Sequence, residues 1–167
     1  ITYLLDFNLQ ENLQEDIEKH DKLNPKLWEG TELKPEVKEK INFIVNEFIK
    51  NLQEDNINIQ VDDIILVGSN CAYNYTEDSD LDIHILANTD ALKACDQNIV
   101  SKLYGAYRTI FNKKFDIDFY GIPVEIFVET NETPRISNGV YSVMQEKWIK
   151  EPVMEDTAPE TEFIEPA

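Results

Sequence analysis

The chain has 167 residues, which is enough for one domain with a hydrophobic core and too few for two substantial domains. It carries 33 acidic and 15 basic residues, so its formal net charge is −18, which excludes a broad, nonspecific contact with nucleic-acid phosphates. Its two cysteines show neither a metal-ligand spacing nor a disulfide framework, and this favours a reducing compartment. No membrane-spanning segment or signal-peptide pattern is present, so we expect a cytoplasmic protein without a membrane partner.

Three parts of different composition follow one another along the chain. Residues 1–30 start with a short apolar patch and continue as an acidic run, which predicts an N-terminal arm that Leu27 and Trp28 pin to the domain. Residues 31–150 show helix-like and strand-like patterns and form the predicted domain. Residues 151–167 are acidic and contain three prolines, which predicts a disordered tail or one that lies on a partner. The arm and the tail are therefore candidate contacts for a protein partner.

Two long helices are predicted, at 31–53 and at 90–114. The first has Thr31 as a candidate cap and Pro35 in its first turn, where the missing N–H costs nothing. Its apolar residues recur at helical spacing and should cover one face of a sheet: Val37, Ile41, Ile44, Val45, Phe48 and Ile49. The second has Asp90 as a candidate cap, and its apolar stripe consists of Leu92, Cys95, Ile99, Leu103, Ala106, Ile110 and Phe111.

The stretch IILVGSNCAYNYTEDSDLDIHIL, residues 64–86, organises the rest of the chain. Its first four residues, 64–67, are aliphatic without alternation and predict a strand that is buried on both faces. Gly68 ends this strand and allows a close approach of backbone N–H groups to an anion. Ser69 then adds a hydroxyl at the start of a short helical turn, so the two residues form a candidate phosphate-binding turn.

The second half of this stretch places acidic residues on one face of a strand. Side chains alternate along a strand, so Asp80, Asp82 and His84 share one face and their apolar neighbours share the other. Two carboxylates at this spacing repel each other unless a cation lies between them. Magnesium is the usual cation for such oxygen ligands, so the pattern predicts a metal site.

Two hairpins are predicted after the second helix. The alternating runs FDIDFY and PVEIFVE are hinged at 121–123 and form the first hairpin. In the second of these runs Glu125 shares a face with Phe127 and Glu129, and Glu129 is expected to be solvated because it lies near the strand end. Two shorter apolar runs within 140–149 surround a polar turn and predict the second hairpin.

Gly68-Ser69, followed after a spacer by SDLD at 79–82, resembles the signature of the nucleotidyltransferase superfamily, which includes DNA polymerase beta, the minimal nucleotidyltransferases and the aminoglycoside nucleotidyltransferases. The segments GSNCAYNYTEDSDLDIH, KLNPKLWEG and GVYSVMQEKWIKEP are also similar to small stand-alone nucleotidyltransferases of bacteriophages. Members of the superfamily carry a third carboxylate on a later strand, and Glu125 occupies the matching place. The resemblance implies an α+β fold with a small mixed β-sheet and two main helices packed on it.

The resemblance also implies a reaction. It is the Mg²⁺-dependent transfer of a nucleoside monophosphate from an NTP, with ATP as the expected nucleotide, to an acceptor hydroxyl with release of pyrophosphate. The implied catalytic residues and ligands of two magnesium ions are Asp80, Asp82 and Glu125, and the implied nucleotide-binding residues are Gly68, Ser69 and Ser79. The acceptor is a protein side chain, a small molecule or an RNA end, and the negative charge makes RNA the least natural of these. A phage-encoded enzyme would act in the host cytoplasm or reside in the virion.

Other interpretations compete with this one. A protein that keeps the fold as a phage particle component or an antitoxin-like partner would bind without catalysing, although it would have no reason to keep clustered charge. A relative that transfers pyrophosphate to make alarmones would need a basic nucleotide-binding surface, which this chain lacks. Asp116 and Asp118 repeat the acid, apolar, acid pattern, but no glycine-serine turn precedes them.

Several residues keep two interpretations at this point. His84 either contacts substrate or is bonded within the sheet. Tyr73 and Tyr75 either stack on a base or pack on the domain. Basic residues of the second helix either neutralise a triphosphate or form a solvated face: Lys102, Arg108, Lys113 and Lys114. His20 is expected at the surface, Cys71 as a small packing residue, and Asp62 and Asp63 in a solvated turn.

Overall fold

The computed structural model of the chain describes residues 19–88, 97–115, 118–129 and 137–154. These residues form an α+β fold with two helices and a mixed sheet, which confirms the predicted fold class. In chain order the elements are β1 (Trp28–Glu29), β2 (Glu32–Leu33), α1 (Pro35–Glu54), β3 (Gln60–Val67), a single 3-10 turn (Ser69–Cys71), β4 (Leu81–Asn88), α2 (Gln97–Phe115), β5 (Asp118–Phe119), β6 (Ile122–Glu129), β7 (Val140–Ser142) and β8 (Lys147–Lys150).

The main sheet has the strand order β5-β6-β4-β3-β7-β8, and β1 pairs with β2 in a separate ribbon. Strands β4 and β6 run parallel, whereas each of the other neighbouring pairs is antiparallel. A parallel pair needs a crossover, and α2 lies in the connection between β4 and β6. The two strands that carry the predicted carboxylates are therefore direct neighbours.

Strand β3 is buried on both faces, as its continuous apolar run predicts. Ile64 and Leu66 belong to the main core, together with the inward side chains of β4 and of α1. Ile65 and Val67 belong to a smaller cluster on the opposite face with Leu86 and Val140. Burial on both faces fixes this strand in the centre of the sheet, and its end at Val67 fixes where the following turn begins.

Helix α1 begins later than predicted, at Pro35 rather than at Thr31. Lys34 is its N-cap and makes no side-chain capping bond, because Glu32 and Leu33 are paired with β1 and cannot belong to the helix. The predicted apolar face is confirmed, and its buried residues are Val37, Ile41, Ile44, Val45, Phe48 and Leu52. Ile49 is partly buried against the same core.

The apolar stripe predicted for the second helix is wrong at three of the four positions whose side chains the structure describes. Leu103, Ala106 and Ile110 are exposed, and Tyr104 and Phe111 are the buried residues. The ring of Phe111 packs edge-on against Phe48 of α1, with 5.3 Å between the centroids. Phe111 is thus buried as the stripe predicted, and Tyr104, which the stripe did not include, is buried with it. The predicted positions Asp90, Leu92 and Cys95 and the side chain of Ile99 lie outside the described residues.

Both predicted hairpins are confirmed. Strand β5 pairs with the start of β6, and the turn between them is Tyr120-Gly121, one residue earlier than the predicted hinge. Both turn residues have positive φ, 53° and 83°, which is the geometry of a tight two-residue hairpin turn. Strands β7 and β8 form the second, antiparallel hairpin. Asp116 lies outside the described residues, as does the side chain of Asp118.

The segment before α1 is anchored in the core, as predicted for Leu27 and Trp28. Leu23, Leu27 and Trp28 are all buried. The indole of Trp28 stacks on Trp148 with 4.7 Å between the centroids and meets Tyr141 edge-on. Tyr141 and Ser142 are buried as well. Within the described ranges, no helix is both long enough and apolar enough to cross a membrane.

The prediction that Asp62 and Asp63 form a turn is wrong, and of the two only Asp62 is exposed to solvent as predicted. Both residues lie in β3, and a register irregularity between Val61 and Asp63 turns the Asp63 side chain inward. Its carboxylate is buried and accepts hydrogen bonds from the Ser142 hydroxyl at 2.8 Å and the Gln145 side-chain amide at 3.2 Å. Asp63 therefore ties the central strand to the β7–β8 hairpin.

Substitution of Asp63 by alanine should lower the free energy of unfolding by roughly 1–3 kcal/mol, because buried hydrogen-bond donors lose their acceptor. The neighbouring Asp62 is exposed, so Asp62→Ala should change the same quantity by less than about 1 kcal/mol. Urea unfolding of both variants measures the difference. Equal destabilisation by the two substitutions would contradict the assigned role of Asp63.

Candidate metal centre

The three predicted carboxylates lie together at the ends of neighbouring elements. Asp80 immediately precedes β4, Asp82 is the second residue of β4, and Glu125 is the residue of β6 directly opposite Asp82 in the parallel register. One carboxylate oxygen from each of these residues lies within 4.8 Å of the others. Oxygens at this spacing can share one divalent cation or bridge two of them.

The local sequence of both strands explains why the acids face outward together. In β4 Leu81, Ile83 and Ile85 are fully buried against the helices, which leaves Asp82 on the opposite face with His84. In β6 Val124 and Ile126 are buried on the same side as those residues, and Glu125 points the other way. Because paired strands share their faces, in-register pairing puts Asp82 and Glu125 on one surface.

The electrostatics of the cluster favour a cation. The pKa of Asp82 is raised from 3.8 to about 6, mainly by burial and then by the charges of Glu125 and Asp80, while His84 acts in the opposite direction. Asp80 and Asp82 are half-buried and Glu125 is exposed, so a cation can enter from solvent. Carboxylate oxygens are hard ligands, and a set of three carboxylates suits magnesium or manganese. The residues present therefore fit a divalent metal site.

Gly68 is the residue that lets the turn after β3 approach these acids. Its φ of 86° and ψ of −172° lie in a region that essentially only glycine adopts. A Cβ at this position would lie 2.6 Å from Oδ2 of Asp82, so a side chain would collide with the acid. The Gly68 N–H donates a hydrogen bond to the Ser137 hydroxyl at 3.0 Å. This N–H of the predicted phosphate-binding turn is therefore not free to bind a phosphate.

Ser69 opens the single 3-10 turn that the sequence predicted as a short helical turn. Cys71 and Ala72 donate their N–H groups to the carbonyls of Gly68 and Ser69, so the first two N–H groups of the turn have no bond inside it. The Ser69 hydroxyl donates to the Ser79 hydroxyl at 2.6 Å. Ser79 therefore links the turn to the residues just before Asp80.

Asn70 holds the backbone of the candidate site in place, and the sequence did not predict this role. It is fully buried, and its side-chain amide donates to the carbonyls of Ser79 at 3.1 Å and Asp80 at 2.9 Å. Its side-chain oxygen accepts a hydrogen bond from Asn24, and its carbonyl accepts one from the Trp28 indole at 2.8 Å. The backbone on which Asp80 sits is thus held by the N-terminal segment. An asparagine within a polar stretch carries no local signal of this role, because its partners lie far away in sequence.

His84 is bonded within the sheet, which is one of its two predicted interpretations. Its Nδ1 lies 2.6 Å from Oε1 of Glu129, and its ring contacts the Phe127 ring with 4.7 Å between the centroids. The prediction that Glu129 is solvated is wrong, because only 19% of its side chain is exposed and it pairs with His84. The two residues form a polar pair on the same face as the carboxylates.

Both tyrosines of the turn region pack on the domain, which is one of their two predicted interpretations. Tyr75 stacks on His20 with 3.9 Å between the ring centroids, and Tyr73 is partly buried against the core. His20 is half-buried by this contact and by its 2.9 Å hydrogen bond to the Tyr75 carbonyl, rather than fully at the surface as predicted. Cys71 is completely buried, and burial raises its pKa, so it is an inert packing residue as predicted.

The basic residues of α2 differ in their surroundings. Lys102 is exposed, as expected for a solvated face. Arg108 is half-buried, and its guanidinium carbon lies 4.6 Å from the centroid of the Phe127 ring, on the face that carries Glu125. The side chains of Lys113 and Lys114 lie outside the described residues. Of the two α2 cations whose side chains the structure describes, Arg108 is thus the one that contacts a residue of β6.

No protein-family model matches the chain, and no curated protein or solved structure matches it either. The resemblance to nucleotidyltransferases thus stays a prediction that rests on the residues of this chain.

The close approach of Gly68 to Asp82 has a testable consequence. Gly68→Ala should destabilise the fold by roughly 1–3 kcal/mol because of its backbone conformation, and it should also weaken Mn²⁺ binding by displacing Asp82. Gly30→Ala is the matched control, because Gly30 also has a positive φ, 61°, but nothing within 4 Å of its Cβ position. Calorimetric titration with Mn²⁺ should show weaker binding for Gly68→Ala alone. Equal affinities in the two variants would contradict the proposed contact.

The raised pKa of Asp82 predicts how stability depends on pH without metal. Between its ordinary value of 3.8 and its folded value of about 6, Asp82 is ionised more fully in the unfolded chain. Unfolding then releases a proton, so this residue makes the free energy of unfolding fall as pH rises across that interval. The difference between wild type and Asp82→Asn, measured by chemical unfolding in EDTA, should decrease from pH 4 to pH 6. A flat or rising difference would disprove this assignment.

Proposed function

We propose that this chain is a Mg²⁺-dependent nucleotidyltransferase that moves a nucleoside monophosphate from an NTP, expected to be ATP, to an acceptor hydroxyl. The observation that supports it most directly is the meeting of Asp80, Asp82 and Glu125 within 4.8 Å, next to the turn formed by Gly68 and Ser69. Transfer of a phosphoryl group requires a metal-binding site next to a turn that can bind an anion.

Each residue has a defined part in this proposal. Asp80, Asp82 and Glu125 would hold the magnesium ions. Bound magnesium neutralises charge on the transferring phosphate and the leaving pyrophosphate and makes the acceptor hydroxyl easier to deprotonate. The first two N–H groups of the 3-10 turn would bind the phosphates of the nucleotide, and the Ser69 hydroxyl would join them by exchanging its hydrogen bond to Ser79 for one to a phosphate oxygen.

The reaction balances without a further co-reactant. The acceptor oxygen bonds to the α-phosphorus, and the bond from the α-phosphorus to the bridging oxygen breaks. Pyrophosphate leaves with that electron pair, and the acceptor proton is released to solvent. Alignment of the two substrates, rather than a covalent contribution of the protein, supplies most of the rate in such a reaction.

A purely structural role is the weaker alternative. Burial and neighbouring charges raise the pKa of Asp82, which means that the fold without a cation has to accommodate an unfavourable charge there. A chain with no use for a cation could replace these acids by neutral residues and become more stable. The three acids are thus better explained by metal binding than by folding.

Asp80→Asn combined with Asp82→Asn should abolish Mn²⁺ binding and lower transfer from α-labelled NTPs by roughly 100-fold or more, because the metal loses two ligands. Asp78→Asn is the matched control, since Asp78 is exposed and lies in the same loop. Calorimetry with Mn²⁺ and autoradiography of labelled products measure the two effects. Metal and NTP binding that survive in the double variant, or a wild-type protein that binds neither, would refute the proposal and favour an interaction protein.

A further inference from the structure

Arg108 occupies a defined place beside the carboxylate cluster. It projects from α2 onto the ring of Phe127, with 4.6 Å between the guanidinium carbon and the ring centroid. Phe127 follows Glu125 by one side-chain repeat of β6 on the same face, a spacing of roughly 7 Å along a strand. The ring on which Arg108 rests is thus one strand repeat from the third carboxylate.

The ring under Arg108 is itself held in place. Phe127 also contacts the imidazole of His84, with 4.7 Å between the centroids and 36° between the planes. Glu129 binds the imidazole through its 2.6 Å contact to Nδ1. Arg108, Phe127, His84 and Glu129 therefore form one connected row, in which the guanidinium rests on a fixed aromatic surface.

The stacking leaves the hydrogen-bonding groups of Arg108 available. A guanidinium that stacks on a ring uses its flat face, and its five N–H donors point outward in the plane. Across the part of the chain that the structure describes, neither a salt bridge nor a hydrogen bond involves Arg108. Glu129, the next acidic residue of β6 after Phe127, is paired with His84. Such a donor set is suited to a bidentate contact with a carboxylate or a phosphate.

The strand order decides which substrate this cation faces. Strand β4 lies between β3 and β6, so the turn after β3 and Phe127 belong to strands on opposite sides of β4. The proposed function places the phosphates of the NTP at Gly68 and Ser69, on the β3 side. The β6 side is then left for the acceptor.

We propose that the acceptor is a small hydroxyl compound carrying a phosphate or a carboxylate, and that Arg108 binds this anionic group. The inference rests on the proposed function. A formal charge of −18 repels anionic compounds, so a local cation is needed to retain one. A small acceptor needs only this one cation, whereas a nucleic acid would face the excess negative charge along a longer footprint.

The test uses matched pairs of acceptors that differ in the anionic group. Wild-type protein is incubated with Mn²⁺, α-labelled NTPs and either glycerol or glycerol 3-phosphate, ribose or ribose 5-phosphate, and methyl lactate or lactate. We expect labelled product from anionic members and little from their neutral counterparts. The phosphate and carboxylate pairs distinguish the two sources of the anion.

Arg108→Gln should raise the KM for the labelled anionic acceptor roughly 10- to 100-fold and leave the KM for the NTP unchanged, since a charge-assisted contact to the acceptor is lost. Arg108→Lys should restore part of the affinity, because it keeps the charge without the planar donor set. Lys102→Gln is the matched control, with the same charge change at an exposed position of the same helix. Thermal unfolding checks that each variant folds.

The outcomes separate the inference from the function on which it rests. If wild type does not bind Mn²⁺ and NTP, or if binding survives loss of Asp80 and Asp82, the proposed function fails together with this inference. If binding depends on those acids, any of three results overturns the inference alone. These are equal labelling of neutral and anionic acceptors, no labelling of any anionic acceptor, and an Arg108→Gln substitution that raises the KM for the NTP rather than the KM for the acceptor. The same small change in Arg108→Gln and Lys102→Gln would also overturn it.

Discussion

The parallel register of β4 and β6 is the constraint on which the candidate site depends. It places Asp82 directly opposite Glu125, and the entry of the chain into β4 brings Asp80 beside them. Negative charges at this distance oppose one another, and burial adds to the cost at Asp82, whose pKa rises to about 6. The fold can hold this arrangement because the other face of both strands is apolar and fully packed. The packed core thus compensates for the electrostatic repulsion within the carboxylate cluster, and a bound divalent cation would reduce that repulsion.

The turn between β3 and β4 depends on support from a distant part of the chain. Asn70 holds the carbonyls of Ser79 and Asp80, and it is in turn held by Asn24 and by the indole of Trp28. The Trp28 indole also packs against the β7–β8 hairpin, so the turn, the N-terminal segment and that hairpin form one packed unit. Buried polar groups that are satisfied in this way fix a single backbone geometry, which metal ligands require.

Charge is distributed unevenly around this unit. The chain as a whole is strongly acidic, yet Arg108 rests on Phe127 close to the acidic face. Strand β4 lies between the strand that carries Phe127 and the strand that leads into Gly68, so the two sides of β4 offer different chemistry. The β3 side offers backbone N–H groups and a serine hydroxyl, and the β6 side offers a guanidinium. Such an asymmetry would suit the two different anionic substrates that we propose, because each must be held in its own orientation.

Much of this protein follows from local sequence patterns. The apolar run before Gly68, the alternation around Asp82 and the helical spacing in α1 each depend on periodicity within a short segment, so the central strand, the outward acids and the helix face were predictable. Tertiary structure alone decided the rest. Burial of Asp63 and the support given by Asn70 depend on partners many residues away, which no local pattern encodes. The contact of Glu125 with the first two acids likewise needed the in-register pairing of distant strands, because proximity between them is created only when the sheet assembles.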